Sequence, residues 1–234
     1  MVMSSSRIHG PTRAAEPIGF AAMLRNATWS AHGKAETGGA LSTLIRGHGD
    51  LLLYRTLLSQ LYFVYAELES ATEAMRVDPV VARFAAFELT RLPALQADLD
   101  TVAGPGWAAT IAPLAETEHY LTRLRQVAKS SSGRFIAHHY TRYLGDLSGG
   151  FAIGSAVRRS LGLTGPDGRR FFIFEDIADP IAFKENYRRE LDRAAWTNLE
   201  RDEIAAETRH AYRLNTALQV AVERAAHRER ATGQ

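Results

Sequence analysis

The stretch HHYTRYLGDLSGGF, residues 138 to 151, places three glycines and one acid in a run that is otherwise helical, aromatic and apolar in character. A glycine inside a helix costs roughly 1 kcal/mol relative to alanine, so Gly145, Gly149 and Gly150 weaken the segment that carries them. In a helix, Asp146 shares a face with Gly149 and Gly150, three and four residues later. Missing side chains on one face let something broad approach the backbone, either a neighbouring helix or a flat ligand. A packing seam has little use for a buried carboxylate, and Asp146 therefore favours the ligand. The motif GDLSGG carries an extra leucine relative to the GDSGG around a serine nucleophile, and it lacks the lysine and spacing of a phosphate loop.

Two further groups have the residue types for site chemistry. His32 lies in ATWSAHGKAE among the small residues Ala31, Gly33 and Ala35, with Glu36 one helical turn on. A glutamate at i+4 can hold the far nitrogen of a metal-bound imidazole and fix its tautomer. His138 and His139 diverge by about 100° on a helix and cannot both face one ligand. In FKENYRREL, Lys184 and Arg188 form a cationic stripe one turn apart. Taken by itself, that stripe reads as a solvated face paired with Glu185 and Glu190.

The elements that must position these residues are nearly all helical by period. Helices are expected over 18–38, 50–76 with Asp50 as N-cap, 79–89, 92–102, 113–129, 134–161, 179–196 and 202–228. Gly104-Pro105-Gly106 and residues 164–168 read as turns, and RFFIF at 170–174 as an extended connector, because one short strand cannot make a sheet. The fold class expected is all-α: a single domain at 18–228, with a polar N-terminal arm at 1–17 and a polar tail at 229–234.

The chain has 234 residues, 46% of them hydrophobic, which is enough for a sizeable core. Its formal charge of +2, without an aromatic-interleaved basic patch, argues against nucleic acid. There is no cysteine, which excludes disulfides, iron–sulfur clusters and a thiolate ligand or nucleophile. No window has the ~20 consecutive apolar residues of a membrane span, and the first residues do not form a secretory signal. The expectation is a soluble cytoplasmic protein.

Together these residues resemble the haem (heme) oxygenase family. The similarity is greatest in AHHYTRYLGDLSGG at 137–150 and extends to LRNATWSAHGKAE, FFIFEDI and FKENYRREL in the same order, about residues 18 to 222. The resemblance implies haem b held between the first helix and a kinked glycine-bearing helix. His32 matches the proximal iron ligand and Glu36 the acid that orients it. Asp146 matches the distal acid, and Gly145, Gly149 and Gly150 match the backbone against the haem. Lys184 and Arg188 match the propionate-binding cations, with Tyr140 on the same side and Arg25 where a lysine is common.

The activity implied is haem opening by O2 and externally supplied electrons, with biliverdin, carbon monoxide and ferrous iron as products. Asp146 would act through ordered water as the source of a proton, and the anchored propionates would select the α isomer. No dinucleotide or flavin fingerprint is present, so a ferredoxin or flavoprotein reductase is the expected donor. Arg123, Arg125, Lys129 and Arg134 are candidates for its docking surface. Trp29, Gly33 and Phe151 depart from the family pattern. A haem carrier would need His32 but has no use for Asp146. A thiamin-degrading or di-iron enzyme on a similar scaffold would need the absent cysteine or a second Glu-x-x-His, and only Glu116 to His119 has that spacing.

Overall fold

A computed structural model describes residues 19 to 232, with the side chains of residues 29 to 37 outside the description. Among the described residues there are eight α-helices and no strand. The N-terminal arm expected at 1–17 lies outside the described residues.

The first helix, α1 (Phe20–Thr37), is capped from a distance: the Asp192 carboxylate accepts the Ala21 N–H at 2.8 Å. It ends at Gly38, and α2 (Gly39–Ile45) begins at once. Gly39 has φ +76°, and a Cβ there would stand 2.6 Å from Gln219 Cβ. Only glycine suits that position, on both counts. Gln219 also accepts the Leu41 N–H, which docks the start of α2 on the last helix. This helix was not expected from the sequence, since its glycine pair reads locally as a loop and its anchor lies about 180 residues away.

Asp50 caps α3 (Leu51–Ala74) by accepting the Leu53 N–H at 2.9 Å, and Arg230 clamps the same carboxylate with two bonds of 2.7 Å. The helix expected over 79–89 is replaced by two 3₁₀ turns, Val81–Arg83 and Phe87–Leu89. Asp78 holds the Val80 and Val81 N–H groups, and Ala86 is extended between the turns. Side-chain capping and a break at Ala86 thus override the periodic pattern. Then come α4 (Leu92–Ala103), with Pro93 in its first turn, and α5 (Ala115–Ser130).

Ser131 caps α6 (Ser132–Leu161), which passes through all three motif glycines and ends at left-handed Gly162. RFFIF does not run extended throughout: Arg170–Phe172 forms a 3₁₀ turn. Asp179 and Pro180 open α7 (Pro180–Arg193) as expected. The last helix, α8 (Asn198–Thr232), starts four residues earlier than expected because Thr197 and Glu200 form a reciprocal capping box. At 35 residues it spans about 50 Å and packs against α1, α2, α3, α5 and α6. One buried apolar cluster, from Phe20 to Ala226, links all eight helices.

Candidate functional site

Four helices meet around a cavity of about 250 Å³: Arg25 and Thr28 come from α1, Tyr140, Leu144, Gly145 and Ser148 from α6, Arg188 from α7 and Tyr212 from α8. The slot therefore lies between the first helix and the glycine-bearing helix. A Cβ built on Gly145 meets nothing within 4 Å, so its missing side chain leaves open room above the backbone. Tyr140 is buried, which pushes its phenol above the ordinary range, and Arg188 and Arg25 oppose that shift from the mouth. Lys184 reaches the same rim, with Nζ donating to Ser148 Oγ at 3.3 Å. Burial lowers the Lys184 ammonium, and neighbouring Arg188 lowers it further. Glycine backbone, an apolar side chain, aromatic rings and two arginines give a lining suited to an apolar ligand that carries negative charge.

The same helix also carries a polar network within the apolar core. The Tyr65 hydroxyl donates to Asp146 Oδ2. Arg142, one turn before Asp146, places Nη2 3.4 Å from Oδ1. The same guanidinium donates to Asn215 Oδ1 at 2.6 Å and to Tyr65 Oη at 3.3 Å. Burial pushes the Asp146 carboxyl well above the usual carboxylate range and the Arg142 guanidinium below its own. The Tyr120 hydroxyl is buried beside this network without a hydrogen-bond partner, and Arg142 acts on it electrostatically. A buried donor of this kind is suited to ordered water.

The structure brings Arg25, Tyr140, Gly145 and Arg188 together at one slot, with Lys184 at its rim, while Asp146 lines a neighbouring cavity with Leu147, Gly150 and Phe172. Gly149 follows Gly145 by one turn. Gly150 packs closely on the 3₁₀ turn, where a Cβ would lie 3.1 Å from the Phe172 carbonyl oxygen. His32 and Glu36 belong to the backbone of α1, but their side chains lie outside the described residues, as do those of Trp29 and Ala31. Neither His138 nor His139 reaches the slot. His138 Nε2 bonds Glu207 at 2.9 Å, and His139 Nδ1 bonds the Tyr187 hydroxyl at 2.9 Å.

The basic patch suggested as a docking surface is largely spent within the fold. Arg123 pairs with Glu207, Arg125 with Glu67 at 2.7 Å and Arg134 with Glu203 at 3.8 Å. Helices with alternating charge satisfy each other's surface groups, which a single-sign count of cations overlooks. Phe151 is 88% exposed, and nothing in the structure explains it. Sequence reasoning missed Tyr65, Tyr120, Arg142 and Asn215. Arg142 was within reach through its i, i+4 spacing to Asp146, whereas the others come from distant helices with no local signal.

Residues 18–221 match the family model described as "Heme oxygenase". Among curated proteins, the heme oxygenase of Rhodella violacea is 34% identical over 84% of this chain and 83% of its own length. Heme oxygenase 1 of a Nostoc strain is 34% identical over 82% of this chain and 81% of its own. Among solved structures, heme oxygenase-1 of the cyanobacterium Synechocystis in complex with heme superposes with a TM-score of 0.86 at 30% identity. That superposition covers 92% of this chain and 97% of the other.

Proposed function

The chain belongs to the haem oxygenase family, and we propose that it cleaves haem b with O2 and external electrons to biliverdin, carbon monoxide and ferrous iron. The observation that supports this reading is the buried Asp146 network carried by α6, the same helix whose Gly145 backs the slot. A protein that only carried haem would have no use for an acid held at that place.

When bound, haem supplies both the iron that activates oxygen and the ring that is oxidised. The chain's residues do the rest. By the family resemblance His32 would hold the haem iron and Glu36 would orient that imidazole, in keeping with a chain that has no cysteine to offer. Arg25, Lys184 and Arg188 neutralise the two propionates, and Tyr140 packs beside them. That anchoring would set the rotation of a bound ring, and with it the α isomer. Gly145, with no side chain, leaves room above the α6 backbone for the ring, and Gly149 one turn on would extend that bare face. Asp146 holds a proton in a buried site, with Tyr65 and Arg142 fixing its two oxygens, and passes it through ordered water.

Electrons come from a ferredoxin or flavoprotein reductase. Among the described residues no helix is long and apolar enough to cross a membrane, and we place the protein in the cytoplasm as a soluble enzyme. The test is aerobic turnover with haem and a reductant, followed by identification of the verdin isomer. Loss of the Soret band with growth of verdin absorbance, as the α isomer, is expected. A Soret band that persists under reductant and air would make the protein a carrier.

A further inference from the structure

Asp98 on α4 has no part in the slot, yet its side chain is fully buried. Its Oδ1 accepts the Arg170 N–H at 2.7 Å and its Oδ2 accepts the Phe171 N–H at 2.8 Å. These amides open the 3₁₀ turn, where backbone donors have no partner within the turn itself. Arg91 braces the far end of the same segment: Nη1 donates to the Ile173 carbonyl at 2.7 Å, and its guanidinium lies 4.0 Å over the Phe174 ring.

The opposite side of that turn bears on the distal network. The Phe171 ring meets Tyr65 edge-on at 5.2 Å, and Tyr65 is the donor to Asp146. Phe172 closes against α6: its carbonyl oxygen is 3.1 Å from a Cβ on Gly150, and its own Cβ is 3.0 Å from one on Gly154. No side chain cushions this contact. Gly150 is also one turn beyond Asp146, so any displacement of the turn passes to the backbone that carries the acid.

We propose that Asp98 is a positioning residue for the distal acid, its carboxylate fixing the Arg170–Phe172 turn and the turn fixing Tyr65 and the Gly150–Gly154 face of α6. The proposal rests on the reading of Asp146 as that acid.

The groups facing Asp98 are Arg170 on the turn, Asp167 in the preceding loop and Tyr54 on α3. Burial pushes the Asp98 carboxyl up to about 6, against the pull of the two amides and Arg170. Because this value lies above the ordinary 3.8, the native state gains protons more readily than the unfolded one across that window. For Asp98 alone, mild acid therefore relieves a buried charge and adds to stability. The change is local, because a protonated carboxyl has lost one of its two equivalent acceptors.

The experiment is a ¹H–¹⁵N NMR titration of the full-length chain without haem, between about pH 5 and 8. The amides of Arg170, Phe171, Gly150 and Gly154 are expected to shift together, with one midpoint near 6. In Asp98→Asn that midpoint should vanish at all four, and verdin formation by the haem-loaded variant should fall by about tenfold to a hundredfold with haem affinity unchanged. If the glycine amides stay still while Arg170 and Phe171 titrate, or if a midpoint at Gly150 survives Asp98→Asn, the coupling is overturned. If the variant does not fold, the wild-type titration decides alone. Normal turnover by Asp146→Ala would instead remove the distal-acid reading and leave the coupling to be judged by NMR.

Discussion

The Tyr65 hydroxyl on α3 donates to the Asp146 carboxylate on α6, while Arg142 stands 3.4 Å from that carboxylate's other oxygen. Both oxygens are thereby held in a side chain that is only 15% exposed. Tyr65 and Arg142 satisfy the buried carboxyl's oxygens, and burial makes the acid ready to keep its proton.

Asp146→Ala should therefore bind haem as the wild type does and lose verdin formation by about 10²- to 10⁴-fold, the usual range for a positioned acid. Tyr65→Phe should lose less, because Arg142 still reaches Oδ1. Soret titration and single-turnover verdin absorbance, measured on both variants, separate binding from chemistry. Wild-type turnover in Asp146→Ala would remove the acid from the mechanism.

The motif glycines should behave oppositely when given a methyl group. At Gly145 an added Cβ meets nothing within 4 Å, so Gly145→Ala should fold and gain up to about 1 kcal/mol of helix stability. The new methyl group would face the slot and weaken haem binding. Gly150→Ala should instead lose stability, since its Cβ would crowd the Phe172 carbonyl at 3.1 Å. Thermal unfolding and haem titration of the pair check this, and parallel behaviour of the two variants would contradict it.

The difference between these glycines marks where the sequence stops being informative. Helical period located seven of the eight helices, and the starts of α3 and α7 as well, because Asp50 and Asp179 act within three residues of themselves. It failed at α2 and at residues 79–89, where Gln219 and Asp78 decide the backbone path. Tyr140 and Arg188, which line the slot, were singled out only through the family resemblance, since Arg188 taken alone reads as part of a solvated face. Tyr65 and Asn215 were not singled out at all, being single polar residues within ordinary helices whose meaning arises only when α3, α6 and α8 pack. Gly145 and Gly150 look alike in sequence, and it is the turn at Phe172 that tells them apart.

Arg188 lines the slot and Lys184 stands at its rim, so both should act on the ligand's carboxylates rather than on the fold. Arg188→Ala should weaken haem binding about tenfold, as for the loss of one partly screened charge pair of roughly 1 kcal/mol or more. It should also admit verdin isomers other than α. Chromatography of the product, with haem affinity measured at low and high salt, tests both parts. An unchanged isomer ratio and an unchanged affinity would detach Arg188 from the propionates.

Glu207 on α8 is a structural counterpart to Asp146, and its pH behaviour should be opposite in sign to that of Asp98. Burial opposes its charge, but hydrogen bonds from His138 and Arg123 overcome this and hold its carboxyl down to about 2, from 4.5. A carboxyl depressed in the native state contributes stability that is fully present above its unfolded value and is lost as pH falls through about 2. The shift corresponds to something on the order of 3 kcal/mol. Burial holds His138 below its ordinary range as well, so its contribution also declines on acidification, starting near 6.5. Glu207→Gln should cost a few kcal/mol at neutral pH, and the gap from wild type should narrow below about pH 4. Arg123→Glu, which sets two carboxylates together, should lower the unfolding midpoint and leave the Michaelis constant for the electron donor unchanged. Urea unfolding at several pH values, alongside donor kinetics for Arg123→Glu, decides the matter. A raised Michaelis constant with unaltered stability would return Arg123 to the donor's docking surface.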